Sequence, residues 1–194
     1  MSGSESRTAW AELSAQMSTC TACELSESRR RVVPGQFPPG ARVLLVGEAP
    51  GREEDEGGEP FIGRSGRLLD ELLTEVGLDR SAMAVVNTVK CRPPGNRAPR
   101  RREATTCRPW LDQQVAVIDP AVVVTLGGSA LAWALGTGHR LRDARGRVRD
   151  DGPGGYPLVA TYHPSAALRF GPAGEPLAGL RDDLALVAGL LEAR

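Results

Sequence analysis

Three polar side chains stand at the ends of apolar segments, and together they could perform acid–base and recognition chemistry. Glu48 follows the segment VLLVG directly, Asn87 lies near the end of AMAVVNTV, and His163 follows YPLVATY. Carboxylate, amide and imidazole groups donate or accept hydrogen bonds, and the first and last can move protons. An Asn in an apolar strand is costly unless it is hydrogen-bonded, so Asn87 is either satisfied by a nearby loop or directed at a ligand. His163 is favoured as a functional residue because Pro164 stiffens the turn that follows the strand.

Four cysteines form a second group with possible chemistry. Cys20 and Cys23 make a C-x2-C pair, whereas Cys91 and Cys107 are separated by fifteen residues. In a reducing compartment, four cysteines with one tight pair indicate a metal site rather than disulfides. Four thiolates suit either a tetrahedral zinc ion or a four-iron cluster, and the spacing alone leaves both open. Zinc ribbons usually have two tight pairs, whereas the wide second pair here fits a larger cluster better.

Glu48, the first of these polar residues, lies in the stretch RVLLVGEAPGREEDEGGEPFIGRSGRLLD. Its β-branched and apolar opening, residues 43–46, predicts a strand that is buried on both faces and ends at Gly47. Apolar residues at helical spacing predict a helix over residues 65–76 with Ser65 as its N-cap. The loop between them has about seventeen residues, is rich in glycine and carboxylates, and contains one aromatic residue, Phe61. Open α/β sheets bind their ligands in such loops, at the carboxyl ends of strands.

Strands alternate with helices along the rest of the chain, which predicts a single α/β domain. Further strands are predicted at residues 83–89, 121–127 and 156–162, and helices at residues 8–17, 100–117, 129–135 and 177–191. We expect a central, mostly parallel four-stranded sheet flanked by helices on both faces, formed by residues 9–194 after a loose tail of residues 1–8. The carboxyl ends of parallel strands meet at one edge, so Glu48, Asn87 and His163 can come together although they are distant in sequence.

The composition is that of an ordinary globular protein. The chain has 194 residues, of which 41% are hydrophobic and 25% are charged, and its formal net charge is zero. A zero net charge lowers the expectation of nucleic-acid binding but does not exclude it, because a groove needs only local positive charge. The arginines of residues 29–31 and 140–149 are interpreted mainly as solvated surface, with phosphate or DNA contact as the alternative, and the second segment as a loop or hairpin. We find no membrane-spanning segment and no signal peptide, so we expect a cytoplasmic protein with no membrane partner.

Three segments closely resemble the motifs of family 4 uracil-DNA glycosylases, the iron–sulfur class of bacteria and archaea. They are GEAPGREEDEGGEPFIGRSGRLLD, NTVKCRPPGNR and YHPSAALR, and the resemblance extends from about Cys20 to Leu191. The cysteine pattern agrees with that family, which implies a structural [4Fe–4S] cluster held by Cys20, Cys23, Cys91 and Cys107. The resemblance also implies the uracil-DNA glycosylase fold, uracil-containing DNA as the substrate, single- or double-stranded, and a role in base excision repair. We expect a monomer that is associated with the nucleoid.

The resemblance also assigns roles to individual residues. It implies that Glu48 holds the attacking water and stabilises the sugar, and that His163 hydrogen-bonds the uracil oxygen as negative charge accumulates there. It implies that Phe61 stacks on the flipped uracil and that Asn87 recognises the edge of the base. It further implies that the backbone of Ala49 and Gly51 contacts the base and that Glu54 and Asn96 support catalysis. Ser165 and Arg169 belong to the segment SAALR, which the resemblance implies is a loop that enters the minor groove, with Arg169 contacting a phosphate.

Other interpretations stay open at this stage. Relatives that become covalently trapped on uracil DNA carry an inserted basic loop with a reactive histidine, and the segment CRPPGNRAPRRREATTC has neither, so turnover is favoured. Relatives with a wider range of bases lack the glutamate that corresponds to Glu48. A non-catalytic iron–sulfur module on the same fold would be hard to reconcile with Glu48, Asn87 and His163 together. An enzyme acting on nucleotide phosphates is disfavoured because the acidic segment GEAPGREED would repel them.

Overall fold

Four apolar segments pair side by side as parallel strands. Each is buried on both faces, as is typical of strands in a parallel sheet. In the computed structural model, which describes residues 3–193, the strands are β1 (Val43–Gly47), β2 (Ala84–Asn87), β3 (Val122–Leu126), β4 (Val148–Arg149) and β5 (Leu158–Thr161). Their order in the sheet is β2-β1-β3-β5-β4, and of these five strands only β4 runs antiparallel to its neighbour. The predicted parallel sheet of four strands is therefore confirmed, with a fifth strand added at one edge.

Nine α-helices within the described residues cover the two faces of this sheet. They are α1 (Gly3–Ser18), α2 (Leu25–Ser28), α3 (Arg52–Gly57), α4 (Arg64–Glu75), α5 (Arg101–Ile118), α6 (Gly128–Leu135), α7 (Leu141–Ala144), α8 (Pro164–Phe170) and α9 (Glu175–Glu192). Alternate strand residues point to opposite faces, so Val43 and Leu45 pack with α4, α8 and α9, whereas Leu44 and Val46 pack with α5 and α6. Helices on both faces confirm the predicted layers. None of the described helices is both long enough and apolar enough to span a bilayer.

The added strand β4 and the short helix α7 lie in the arginine-rich residues 140–149, which the sequence left as a loop or hairpin. Val148 pairs with Val159 of β5, and Arg149 pairs with Leu158. Two residues are too few for a strand pattern to stand out among arginines. A short, charged edge strand of this kind discourages the sheet from pairing with another chain.

Helix α1 begins at Gly3, inside residues 1–8, which we expected to form a loose tail. The first two residues of that expected tail lie outside the described part of the chain. Leu13 and Met17 anchor one face of α1 in the core, and Ser6, two turns before Leu13, is also buried. The tail prediction is therefore wrong where the structure describes it, because packing extends the helix beyond its apolar stripe.

The long loop after β1 contains the six-residue helix α3, which the sequence pattern did not predict because it has no apolar stripe. Helix α4 follows, and its N-cap is Gly63 instead of the predicted Ser65. The amide of Gly63 donates to the Glu54 carboxylate at 2.8 Å, so a side chain from α3 caps α4 and no hydroxyl is needed. The two helices thereby hold the loop segment that carries Phe61.

Helix α4 contains Gly66, whose backbone lies against the carbonyl group of Phe61. A Cβ atom at Gly66 would overlap with that carbonyl oxygen, so Gly66→Ala must displace the loop backbone. We expect this substitution to lower the free energy of unfolding by about 1–3 kcal/mol, the usual cost of overpacking. Gly189→Ala in α9 is the matched control, since no described atom outside its chain neighbours and the adjoining backbone of α9 lies within 4 Å of its Cβ position. Alanine should stabilise that helix by roughly 0.5–1 kcal/mol.

Urea denaturation of both variants measures these free energies. If Gly66→Ala were as stable as the wild type, the close contact between α4 and Phe61 would be contradicted.

Candidate active site

A cleft of about 700 Å³ opens at the carboxyl edge of the sheet, where β1, β2, β3 and β5 end. Its volume lies in the range of small-molecule sites in proteins. All ten residues that the sequence assigned to catalysis or substrate binding line this cleft, namely Glu48, Ala49, Gly51, Glu54, Phe61, Asn87, Asn96, His163, Ser165 and Arg169. The structure therefore brings together the predicted residues, while the role of each stays a prediction.

Glu48, the first residue after β1, is held from the ends of two other strands. Its carbonyl oxygen accepts a hydrogen bond from the Thr88 hydroxyl at 2.6 Å, and its Oε2 accepts one from the Ser129 hydroxyl at 2.5 Å. Ser129 belongs to α6 and was not among the predicted site residues. Gly127 and Gly128 mark the carboxyl end of β3 and are the signal that could have drawn attention to the next polar residue. Among the described residues Oε1 of Glu48 has no protein partner, so it is open to a bound water.

His163 caps helix α8 through one nitrogen of its ring. Its Nδ1 accepts a hydrogen bond from the backbone amide of Ser165 at 3.1 Å and lies 2.8 Å from the Ser165 hydroxyl. Because a backbone amide can only donate, Nδ1 is unprotonated and the neutral ring carries its proton on Nε2. Burial lowers the pKa of His163 below its usual 6.5, and the carboxylates of Glu48 and Glu54 offset only part of this effect. The cleft therefore contains a neutral imidazole with an Nε2–H donor.

Phe61 lies at the floor of the cleft in an unusual backbone conformation. Its φ is 57°, in the left-handed region that residues other than glycine rarely adopt. The ring is buried, and its centroid lies 5.7 Å from that of His163. Strained conformations of this kind persist where the surroundings hold them, often at functional sites. The guanidinium of Arg80 contributes to this hold, because it donates to the carbonyl oxygen of Pro60 at 3.2 Å.

Asn87 presents a buried acceptor without a partner. Its side chain is 2% exposed, and Oδ1 accepts no hydrogen bond from any described residue. Leaving such a group unpaired costs about 1–3 kcal/mol. This favours the expectation that Asn87 is directed at a ligand over the expectation that a loop satisfies it.

Glu54 faces the loop backbone instead of the open cleft. Its Oε2 accepts from the Gly51 amide at 3.0 Å, and its Oε1 accepts from the Gly63 amide at 2.8 Å. Since both oxygens are engaged, Glu54 orders the loop that carries the site. The Gly51 amide, which was expected to contact the base, is occupied by the same contact. Of the two predicted backbone donors, the Ala49 amide has no such partner among the described residues.

Asn96, Ser165 and Arg169 lie at the mouth of the cleft. Asn96 is exposed and accepts a hydrogen bond from Nε of Arg92 at 2.6 Å. Ser165 and Arg169 belong to α8, so the segment SAALR is helical instead of forming the predicted loop. The reason is that the His163 side chain caps the helix and a proline occupies its first position. Arg169 is exposed on the rim.

The four cysteines line a second, smaller cavity, and all four thiols are free. Arg29 also lines it and donates from Nη1 to the sulfur of Cys91 at 3.4 Å. Within residues 3–193, no three His, Cys, Asp or Glu side chains converge tightly enough to hold a single metal ion. Burial raises the pKa of Cys91 to about 11 and also raises that of Cys107. A bound metal centre would oppose this effect and favour the thiolate form of both groups.

Lys90 lies between the cleft and the cysteine cavity. Its side chain is 2% exposed and lines the cysteine cavity, and its Nζ donates to the carbonyl oxygen of Asn87 at 2.6 Å. Burial lowers the pKa of Lys90 to about 8, while the sulfur atoms of Cys107 and Cys91 act in the opposite direction. The short segment from Asn87 to Cys91 thus joins the two regions.

Comparison with known proteins gives one family. The model of the uracil DNA glycosylase superfamily matches residues 34–184. The type-4 uracil-DNA glycosylase of Thermotoga maritima is 42% identical over 158 residues, which cover 81% of this chain and 82% of the relative. The type-4 enzyme of Pyrobaculum aerophilum is 40% identical over 77% of this chain and 80% of its own length. The type-5 uracil-DNA glycosylase of Thermus thermophilus is 34% identical over 70% of this chain and 69% of the relative.

The lowered pKa of His163 leads to a prediction about pH. A histidine whose pKa is lower in the folded than in the unfolded chain binds fewer protons when folded, so its contribution to the free energy of unfolding falls as the pH drops through 6.5 towards the lowered pKa. We expect NMR titration to show His163 titrating below 6.5, with the neutral ring protonated on Nε2. His139→Gln removes the other histidine of the chain and so assigns the signals. A His163 signal that titrates above 6.5 would contradict the half-buried, capping arrangement of the ring.

Proposed function

Because the chain belongs to the uracil DNA glycosylase superfamily, we propose that it hydrolyses the N-glycosidic bond of uracil in DNA and leaves an abasic site. This is the activity of a uracil-DNA glycosylase, a hydrolase of DNA repair. The observation that carries the proposal is the buried, unpartnered Oδ1 of Asn87 in a cleft that also contains Glu48, Phe61 and His163.

Asn87 accounts for the choice of base. Uracil presents a carbonyl oxygen and a ring N–H side by side, so the Asn87 amide donates to the first while Oδ1 accepts from the second. Cytosine presents the reversed pattern and would leave both groups of the amide unpaired, at about 1–3 kcal/mol each. The ring of Phe61 stacks on the base once it has left the duplex.

Glu48 and His163 act on the two charges that develop as the bond breaks. Uracil departs with the electron pair of the glycosidic bond, and His163 donates its Nε2–H to the uracil oxygen where negative charge accumulates. Glu48, whose Oε2 is held by Ser129, uses Oε1 to hold the water that attacks the sugar carbon and to accept its proton. Its negative charge also stabilises the positive sugar. Glu54 is a positioning residue in this mechanism, because its oxygens bind backbone amides.

The rim of the cleft supplies the contacts to DNA. Arg52, Arg64 and Arg169 are exposed there, at the side from which a flipped base would enter. Positive groups concentrated at the rim let a protein of zero net charge bind phosphates locally. We expect the protein to act as a monomer in the cytoplasm, on nucleoid DNA.

Glu48→Gln and His163→Ala are expected to slow uracil excision strongly. Loss of a general base costs on the order of 10²–10⁴ in rate, and loss of a donor to a developing oxyanion costs on the order of 10²–10³. The measurement is excision from an oligonucleotide with a single uracil, followed by alkali and a denaturing gel. Glu71→Gln and His139→Ala are the matched controls, because both side chains are exposed and lie outside the cleft.

Two outcomes of this assay would point to the alternative functions. Wild-type protein with an intact cluster that leaves no abasic sites would overturn the glycosylase proposal in favour of a non-catalytic DNA-binding module. A denaturant-resistant protein–DNA band would indicate covalent trapping. The segment between Cys91 and Cys107 contains no histidine, so we expect many turnovers and no such band.

We further propose that Cys20, Cys23, Cys91 and Cys107 hold a [4Fe–4S] cluster. Four free thiols around one cavity support this proposal, as does the similarity to type-4 enzymes. The wide spacing of Cys91 and Cys107, in place of a second tight C-x2-C pair, favours a multi-atom cluster over a single zinc ion. When bound, the cluster supplies a covalent tie between the C-x2-C pair, Cys91 and helix α5, which is a structural contribution.

Protein purified without oxygen is expected to contain about four iron atoms and about four sulfide ions per chain and to absorb visible light. Cys107→Ser should lower both the iron content and the free energy of unfolding, because metal binding is coupled to folding. Iron and sulfide analysis, absorbance spectra and denaturation measure these effects. Colourless wild-type protein with about one zinc ion per chain and full activity would rule out the cluster.

A further inference from the structure

Lys90 is the one lysine among the 24 lysine and arginine residues of the chain, and it is buried. Lysine side chains are almost never fully buried unless they are paired. Neither the proposed hydrolysis nor the proposed cluster ligands use this group. The burial of this cation must therefore be explained by the groups that it contacts.

The contacts of Lys90 reach both functional regions. Its Nζ donates to the carbonyl oxygen of Asn87 at 2.6 Å, and its side chain lines the cysteine cavity. Its carbonyl oxygen accepts a hydrogen bond from the amide of Val33 at 2.8 Å. A single residue thus connects the asparagine of the cleft to the cysteine centre.

The carbonyl that Lys90 holds belongs to the last residue of β2. The hydrogen bonds to β1 continue just beyond it, from the amide of Thr88 to the carbonyl oxygen of Gly47 at 2.9 Å. The chain then turns, and Nζ of Lys90 reaches back across the turn to Asn87. A hydrogen bond from a charged donor is stronger than a neutral one, so it holds the peptide plane after Asn87 firmly. The direction of the Asn87 side chain depends on the orientation of this peptide.

We propose that Lys90 is a positioning residue for uracil recognition, whose ammonium group holds the Asn87 backbone while the cysteine centre holds Lys90. The inference rests on the proposed function and deepens it, because it makes the selectivity of the cleft depend on contacts made at the cysteine cavity. A compact ammonium suits this buried turn, whereas the planar guanidinium of arginine is larger and donates in a fixed fork.

The test compares Lys90→Met with Arg29→Met in iron-loaded protein. Arg29 is the matched control because it also lines the cysteine cavity, where it donates to the sulfur of Cys91 at 3.4 Å, and makes no hydrogen bond to Asn87. Calorimetry measures the dissociation constants of free uracil and of 3-methyluracil, which lacks the ring N–H that Oδ1 accepts. Iron content and visible absorbance are measured on the same samples.

Wild type and Arg29→Met are expected to prefer uracil over 3-methyluracil, and Lys90→Met is expected to lose on the order of tenfold to a hundredfold of that preference. In an Asn87→Ala background, Lys90→Met should have no further effect, since the two residues act as one unit. If Lys90→Met loses its iron, Lys90→Gln is the second variant, because it keeps a donor without the charge.

Three outcomes would overturn this inference. They are an unchanged preference in iron-loaded Lys90→Met, an equal loss in Arg29→Met, and loss of iron from both Lys90 variants, which would assign the residue to the cysteine centre alone. The proposed function is tested separately by uracil excision with the wild type. If the wild type excises uracil and Lys90→Met keeps its preference for uracil over 3-methyluracil, only the proposed role of Lys90 is overturned.

Discussion

The register that pairs Gly47 with Asn87 is the constraint on which the cleft depends. A Cβ atom at Gly47 would collide with Oδ1 of Asn87 and lie 2.6 Å from the ring of Phe61. The amide of Asn87 and the ring of Phe61 therefore share a space that only the absence of a side chain at Gly47 leaves open. Gly66 plays a similar part at the other end of the loop, because a side chain there would overlap with the carbonyl group of Phe61. Two glycines in regular elements thus set where an aromatic residue in a loop can lie.

The acidic loop after β1 acts mainly by binding backbone amides. Glu54 accepts from the amides of Gly51 and Gly63, and the adjacent Asp55, which is 1% exposed, accepts from the amides of Arg30 and Arg31. Helix α3 therefore fastens the cleft loop to the segment that follows the C-x2-C pair. Carboxylates at the start of a helix also interact favourably with its dipole. The acidity of this loop thereby finds a structural explanation that is separate from catalysis.

Positive and negative groups of this protein are distributed unevenly between its two functional regions, although the total charge is zero. Two cations, Arg29 and Lys90, lie against the cysteine sulfurs, so thiolates formed there have positive neighbours. At the cleft, the carboxylate of Glu48 lies among the lining residues, whereas Arg52, Arg64 and Arg169 are exposed at the rim. In the proposed mechanism, an oxocarbenium-like sugar would meet Glu48, and phosphates would meet the arginines. A net charge of zero is therefore compatible with selective contact to a polyanion.

Local sequence is enough to predict which segments are buried and where they end. Continuous apolar runs predicted the four parallel strands, and polar residues at the ends of three of them, Glu48, Asn87 and His163, indicated the edge at which the cleft opens. These features follow from local periodicity and residue type, which a single segment expresses alone. The family motifs pointed to further residues that line the cleft, among them Glu54, Asn96 and Ser165.

How these residues are held depends on contacts that form only in the folded chain. The hydrogen bond from Ser129 to Glu48 joins positions 81 residues apart, the amide of Gly51 is taken by Glu54, and Lys90 reaches back to Asn87 from the cysteine cavity. The extension of α1 and the helical form of the segment after His163 likewise depend on packing and on a side-chain cap. The physical reason is that a hydrogen-bond partner is chosen by proximity in the folded chain, and local sequence carries no record of which distant segment will lie there.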